Sequence, residues 1–295
     1  ALPHLDYEKL ISSVGYDDDS KAGKTPEFLY LKEGKAGVVS MITFDGVHAK
    51  LQNNGLNESF IDMEDPHNAL IIESLLGLMP YFLHEKPKKA FVVGFGGGIT
   101  TKALTHTDLE SIRVVELEPS VVEAGRAIVE GEIPALEDPR VQLNFNDARN
   151  TLLVEKTSYD IIVAQPSHPW RAGAANVFTR EFFEVVKSRL NPDGIYGQWI
   201  NLFNMDVTTL RALMNSYAAV FPETISFANL ESGDFLLFGS QQKLVFDFDR
   251  VADRMARENI KKLLAKHDLY SSEQLLWYFG LSHAEMLEAI GDSPF

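Results

Sequence analysis

The stretch Lys89-Ala-Phe-Val-Val-Gly-Phe-Gly-Gly-Gly-Ile-Thr-Thr101 constrains this chain more than any other, because a short apolar run breaks into glycines and resumes as a helix-forming segment. Gly94, Gly96, Gly97 and Gly98 let the backbone turn sharply at a strand end and approach a ligand without interference from Cβ atoms. About twenty residues on, Val114-Val-Glu-Leu-Glu-Pro119 reads as a second apolar strand ending in Glu116. A carboxylate there is placed to accept two hydrogen bonds from a ribose diol. Turn and acid together point to a nucleoside-type ligand on a βαβ unit, and the first expectation is a dinucleotide.

Composition narrows the class. The 295 residues are 45% hydrophobic, enough for a sizeable core in one large domain or two. A formal charge of −15 argues against nucleic acid as a partner. It suits a cationic substrate, or simply solubility. The absence of cysteine excludes disulfides, thiolate metal sites and cysteine nucleophiles, and no metal is expected. No run approaches ~18 uninterrupted apolar residues, and the start, Ala1-Leu-Pro-His-Leu-Asp6, lacks a signal-peptide pattern. With no initiator methionine, the chain is expected to be a processed or excised soluble part of something longer.

In order, residues 1–26 form a polar lead-in, and 27–60 a small antiparallel β domain. Asp45-Gly46 is its hairpin signal, and Asn53-Asn54-Gly55 is expected to close it. Asp65-Pro66 opens a helix through about Leu78, with Leu70, Ile71, Leu75 and Leu78 at helical spacing. Within 61–244, strands at 89–94, 112–116, 141–145, 159–164 and 194–200 alternate with helices at about 99–106, 119–129, 147–155 and 178–189, the pattern of a parallel sheet covered on both faces. Asn191-Pro-Asp-Gly194 reads as a turn before the fifth strand. A helix at 206–219 and a hairpin from Thr224–Phe227 and Phe235–Gly239 follow, and 245–295 is a helical extension (Val251–Lys266, Ser272–Phe279, Ser282–Ile290).

The ordered motifs, namely the glycine turn, Val-Glu-Leu-Glu, Asn146-Asp147-Ala148, Tyr159-Asp-Ile-Ile-Val163, Pro166-Ser-His-Pro-Trp170, Phe178-Thr-Arg-Glu-Phe182 and Asn191-Pro-Asp-Gly194, resemble the spermidine synthase, or polyamine aminopropyltransferase, family from about Glu27 to Ser240. The resemblance is closest to bacterial spermidine-synthase-like domains fused to membrane segments. It implies an α/β fold: an N-terminal β domain and a methyltransferase-type Rossmann sheet of seven strands, the last antiparallel. It implies S-adenosylmethionine, its decarboxylated form or the methylthioadenosine product as ligand. Gly94, Gly96 and Gly98 would line its nucleoside and sulfonium side, Glu116 would hold the ribose, and Asp147-Ala148 would meet the adenine, with Asp147 also suited to an ordinary helix N-cap. A membrane-spanning segment outside this chain, a cytoplasmic location and a homodimer are further expectations from the resemblance.

The chain also departs from the family. The strand-end aspartate that accepts the amine's proton falls on Gln165, which is no base. A second acid falls on His168, the acid within the glycine loop on Gly97, and a substrate tyrosine on Ile72. His168, a group that titrates near neutrality, is the replacement base on this reading. Trp170 is placed to cover a cation by its π face, and Glu64, Asp65, His67 and Glu73 lie where substrate contacts are carried. Four functions stay open: aminopropyl-type transfer to an amine; a lyase or cyclase reaction of S-adenosylmethionine that needs no diamine; methyl transfer; and non-catalytic nucleoside binding.

Overall fold

A computed structural model describes residues 26–35, 37–64, 71–129, 132–166, 168–170, 174–203, 205–229 and 232–291. The lead-in, the helix start at Asp65-Pro66 and Leu70 therefore lie outside the described residues. The first described unit is an antiparallel meander of β1 (Glu27–Glu33), β2 (Val38–Thr43), β3 (His48–Asn53) and β4 (Leu56–Asp62), paired in sequence order. Asp45 fixes the β2–β3 hairpin by accepting from the amides of Val47 (2.9 Å) and His48 (2.8 Å). These donors, with the His48 ring, hold its carboxyl well below the usual range. Asn53-Asn54-Gly55 does not close the sheet. Asn54 and Gly55 take φ of 53° and 78°, the pair of positive values that turns a two-residue hairpin, and the chain returns as β4. Leu56-Asn-Glu-Ser-Phe-Ile-Asp62 alternates too weakly to announce that strand.

The larger sheet has the order β10-β11-β9-β8-β5-β6-β7, built from β5 (Lys89–Val93), β6 (Ser111–Glu116), β7 (Val141–Phe145), β8 (Tyr159–Ala164), β9 (Leu190–Asn201), β10 (Glu223–Asn229) and β11 (Asp234–Ser240). β5 through β9 pair in parallel, while β11 runs antiparallel to both β9 and β10. This is the expected seven-stranded sheet with its last strand reversed. Asn191-Pro-Asp-Gly194 is not a separate turn but lies within the start of β9. Partners step from Tyr159–Leu190 to Ile161–Ile195, so β9 carries extra residues, and Asn191 Nδ2 donates to Asp160 Oδ1 at 2.5 Å across the irregularity.

Helices cover both faces. On one side lie α1 (Ile71–Leu83) and α2 (Ile99–Thr105); on the other are α4 (Ala148–Val154), α5 (Arg180–Lys187) and α6 (Val207–Ala218). Between β6 and β7, α3 (Pro119–Arg126) buries Val121 and Ala124 against Val39, Met41, Leu51 and Ile61 of the meander, so the two sheets meet at this helix. Tyr30 and Lys32 of β1 reinforce the contact, each reaching Glu123 at 2.7 Å. Among the described residues no helix is long and apolar enough to cross a membrane.

The helix expected at Val251–Lys266 is two helices, α7 (Phe248–Met255) and α8 (Glu258–Ala265), broken at Ala256-Arg257. Ser272–Phe279 contains a 3-10 helix, and Ser282 opens α9 (His283–Ile290) with a capping box. The extension has a structural task. Arg254 donates to the carbonyls of Tyr81, His84 (2.7 Å) and Glu85 (2.6 Å), and Arg250 to those of Phe82 and Leu83. Two guanidinium groups thus satisfy the C-terminal carbonyls of α1, where the helix dipole also favours positive charge. Arg254→Ala is expected to lower unfolding free energy by about 1–3 kcal/mol in urea denaturation, because half-buried carbonyls lose their donors.

Candidate functional site

The chain winds from β5 outward through β6 and β7, then returns to place β8 on the other side of β5. Ligands of open α/β sheets bind at this reversal, beyond the carboxyl ends of the strands. The principal cleft lies there. Gly94 and Gly96 follow β5, Glu116 ends β6, Asp147 and Ala148 follow β7, and Gln165 and Pro166 follow β8. Asn176 and Val177 of a 3-10 turn form another side, and the meander closes the cleft with Leu51, Asn53 and Glu58.

Glu116 is 7% exposed, and its carboxylate joins two loops. One oxygen accepts from the amide of Phe95 at 2.6 Å and the other from the amide of Glu118 at 2.8 Å. Burial raises its pKa, and the amides of Glu118, Phe95, Gly96 and Leu117 oppose that rise. The residue also lines the cleft, where a ligand hydroxyl can donate to its carboxylate. Glu118 also lines the cleft and caps α3, accepting from Ser120 at 3.1 Å. Asp147 is the N-cap of α4, accepting from the amide of Asn150 at 2.8 Å, so the ordinary capping role is present beside its place in the cleft.

Behind the cleft wall lies a buried acid. Gln165, 4% exposed, donates from Nε2 to Glu73 Oε2 at 3.2 Å, while its Oε1 is buried without a hydrogen-bond partner. A buried carbonyl left so costs about 1–3 kcal/mol, which a ligand N–H offsets. Glu73, on α1, is fully buried and also accepts from Ser59 Oγ of β4 at 2.9 and 3.2 Å. Burial pushes its carboxyl up from 4.5 to about 8; Ser59 and Gln165 pull the other way, and the nearby charge of Asp234 adds to the rise. Two glycines make room for this arrangement. A Cβ on Gly96, whose φ is +54°, would stand 2.7 Å from Gln165 Nε2, and one on Gly97 would stand 2.3 Å from Ser59 Oγ. The space an acid at position 97 would need is filled by the serine that holds Glu73.

The expected residues therefore separate. Gly94, Gly96, Glu116, Asp147, Ala148 and Gln165 meet around one cleft, with Glu73 directly behind Gln165. Gly97 and Gly98 do not line it. They face a smaller pocket with Lys102, Ile128 and Ile133. His168 is not a group that titrates near neutrality: burial lowers its pKa to about 4, so the ring is neutral at pH 7. It packs edge-on against Trp170, ring centroids 5.1 Å apart, and neither lines the cleft among the described residues. Glu64 is exposed away from it, and Asp65 and His67 lie outside the described residues. Asn53, Glu58, Glu118 and Asn176 enter the site unannounced. Only Glu118 carried a signal, an acid directly before the proline that starts a helix.

A family model described as the spermine/spermidine synthase domain matches residues 69–230. Among relatives, the polyamine aminopropyltransferase of Thermotoga maritima is 25% identical over 165 residues, 56% of each chain. The spermidine synthase of Dictyostelium discoideum is 26% identical over 151 residues, 51% of this chain and 53% of the relative. The chain thus spans a little over half the length of these relatives in the match. A crystal structure of spermidine synthase in complex with the transition-state analogue AdoDATO superposes with a TM-score of 0.72 at 20% identity, covering 90% of this chain and 88% of that one. That of the Thermotoga maritima spermidine synthase gives 0.69 at 20% identity, covering 90% and 87%. These likenesses show the fold.

The raised pKa of Glu73 makes a stability prediction. The folded protein holds a proton that the unfolded chain releases, so the contribution is fully present below pH 4.5 and is lost as pH rises through about 8. Melting temperatures across this window are expected to fall in the wild type relative to Glu73→Gln, with the gap widest above pH 8. A constant gap would mean that Glu73 is ionised throughout.

Proposed function

This chain belongs to the spermine/spermidine synthase domain family, and we propose that it transfers an aminopropyl-type group from an S-adenosyl sulfonium, the decarboxylated form of S-adenosylmethionine, to an amine and releases methylthioadenosine. The observation that carries this reading is the cleft at the strand reversal, where Gly94, Gly96, Glu116, Asp147 and Ala148 converge on one side and Gln165, backed by a carboxyl group, stands on the other.

In this reading the Glu116 carboxylate accepts the ribose hydroxyls, and Gly96 lets the backbone approach the sulfonium side. Asp147 spends one oxygen on its helix cap and offers the other to the adenine amino group. The amine nitrogen attacks the carbon bound to sulfur, the C–S pair moves onto sulfur, and the cationic sulfonium becomes a neutral thioether. The new nitrogen centre then sheds a proton. Most of the acceleration required of the protein is alignment, since carbon, sulfur and nitrogen must lie in line. Gln165 contributes by position: Gln198 of β9 donates to Pro166 O at 3.2 Å and steadies the loop that follows it. His168, neutral at pH 7, is set back beside Trp170 and takes the role of loop packing in place of the base.

Incubation with S-adenosylmethionine or its decarboxylated form, with and without putrescine, spermidine and a mixed amine pool, tests the reaction by product mass. Methylthioadenosine formed only when an amine is present is the expected outcome. Its formation without amine would establish the lyase or cyclase reaction instead, S-adenosylhomocysteine would establish methyl transfer, and tight methylthioadenosine binding without turnover would leave a nucleoside-binding domain. Glu116→Ala is expected to weaken methylthioadenosine binding at least ~10-fold, the loss of one charge-assisted hydrogen bond or more. Unchanged affinity in calorimetry would remove Glu116 from the nucleoside site.

A further inference from the structure

Gln198 is a polar side chain in an aromatic core. It is fully buried on β9, and Tyr196 lies on the same face two residues before it. Tyr196 is enclosed by Phe183 of α5, Tyr217 of α6 and Phe221, and stacks on Tyr217 with ring centroids 5.5 Å apart. Among the described residues neither Tyr196 nor Gln198 lines the cleft. Both polar atoms of the Gln198 amide are used. Oε1 accepts from the Tyr196 hydroxyl at 2.5 Å, and Nε2 donates to the carbonyls of Trp199 at 2.9 Å and Pro166 at 3.2 Å. This arrangement has one orientation. Carbonyls only accept, so the NH₂ group must face them, and the amide oxygen is left to a hydroxyl that has a hydrogen to give. Without that hydroxyl the oxygen would be buried with no donor, and the orientation would lose its support.

Pro166 is where this chain of bonds reaches the cleft. Gln198 stands beside Ala164, the last residue of β8, and its amide reaches two residues further on. Proline has no N–H, so after the bond from the Gln165 amide to Val93 O at 2.9 Å the loop is tied to the sheet through the Pro166 carbonyl. The Pro166 ring lies against the glycine turn: a Cβ on Gly94, whose φ is +82°, would stand 3.4 Å from Pro166 Cδ. Both residues line the cleft, and the same loop later supplies Asn176 and Val177 to it. We propose that Tyr196 and Gln198 are positioning residues for the cleft. The hydroxyl sets the polarity of the amide, and the amide sets Pro166 against Gly94 and so the separation of the two walls between which the ligand lies. The inference rests on the S-adenosyl reading above for the identity of that ligand. Tyr217 is the contrast within the same stack. It is equally buried, but its hydroxyl donates to the main-chain carbonyls of Tyr196 at 2.7 Å and Leu237 at 3.3 Å, which belong to the sheet and not to the Gln198 amide.

Calorimetric titration of methylthioadenosine into the full chain, paired with the melting temperature of each variant, tests the two residues. Tyr196→Phe keeps the ring in its stack and removes one oxygen; the dissociation constant is expected to rise about 10-fold, the order of one buried hydrogen bond. Gln198→Met keeps the length of the side chain without its donors and should raise the constant at least as far. The double variant should bind no more weakly than Gln198→Met alone, because the hydroxyl acts through the amide. Tyr217→Phe should lower the melting temperature while the constant stays within about 2-fold of the wild type, since the lost bonds do not lead to Pro166. Wild-type affinity in Tyr196→Phe, equal losses of affinity in Tyr196→Phe and Tyr217→Phe, or additive losses in the double variant would reduce the pair to core packing and overturn the proposal while sparing the nucleoside site. The comparison of the two tyrosine variants decides the matter if Gln198→Met folds poorly. A wild-type chain that does not bind methylthioadenosine would remove the S-adenosyl reading and the positioning role with it.

Discussion

The Glu116 carboxylate, placed between the amide of Phe95 and the amide of Glu118, joins the glycine turn after β5 to the start of α3. It adds a side-chain anchor to the backbone bond from Gly94 to Val115 at the strand reversal. Burying a carboxylate is costly unless its lone pairs are used, and here the backbone supplies the donors. Everything on that side of the cleft follows from that anchor: the turn that brings Gly96 close to Gln165, the capped helix that presents Glu118, and the face of α3 against which the meander packs. The meander then contributes Asn53 and Glu58 to the cleft, so the site is assembled from both sheets although its chemistry is centred on one.

The opposite wall of the cleft obeys a different constraint. Gln165 and Glu73 are 92 residues apart and meet because α1 lies across the strands whose ends make the cleft, with Ser59 of β4 reaching over from the other sheet. A carboxyl group this deeply buried and, among the described residues, without a cationic partner is uncommon in a core and is more often found where a proton or a ligand has to be handled. Gly97 belongs to the same arrangement. Its missing side chain is what lets Ser59 approach, so the bare glycine and the buried acid belong to one packing arrangement.

The order of strands and helices, the glycine turn and the position of Glu116 were legible in the sequence because each is a local pattern: apolar runs of strand length, glycines at their ends, a proline after an acid; the reversal of the last strand came only with the family resemblance. Features made by distant pairing were not. β4 hides in a weakly alternating run, and the extra residues at Asn191–Gly194 look like a turn because Pro and Gly signal turns whether or not a neighbouring strand claims them. His168 has an ordinary histidine's titration in any sequence, and only its enclosure, which lowers its pKa, removes it from neutrality. Glu73 reads as one polar residue on a helix, and nothing near it in the chain announces that its carboxyl is sealed from water against the amide of Gln165, which follows β8.

The guanidinium groups of Arg250 and Arg254 close the carbonyl end of the helix that bears Glu73. These arginines lie about 170 positions after the carbonyls they meet, so during synthesis those carbonyls lack their donors until the extension has been made. Domains are completed from the N-terminal side as the chain is made. The helix that carries Glu73 is therefore closed at its far end only by the extension, which ties its completion to a part of the chain remote from it in sequence.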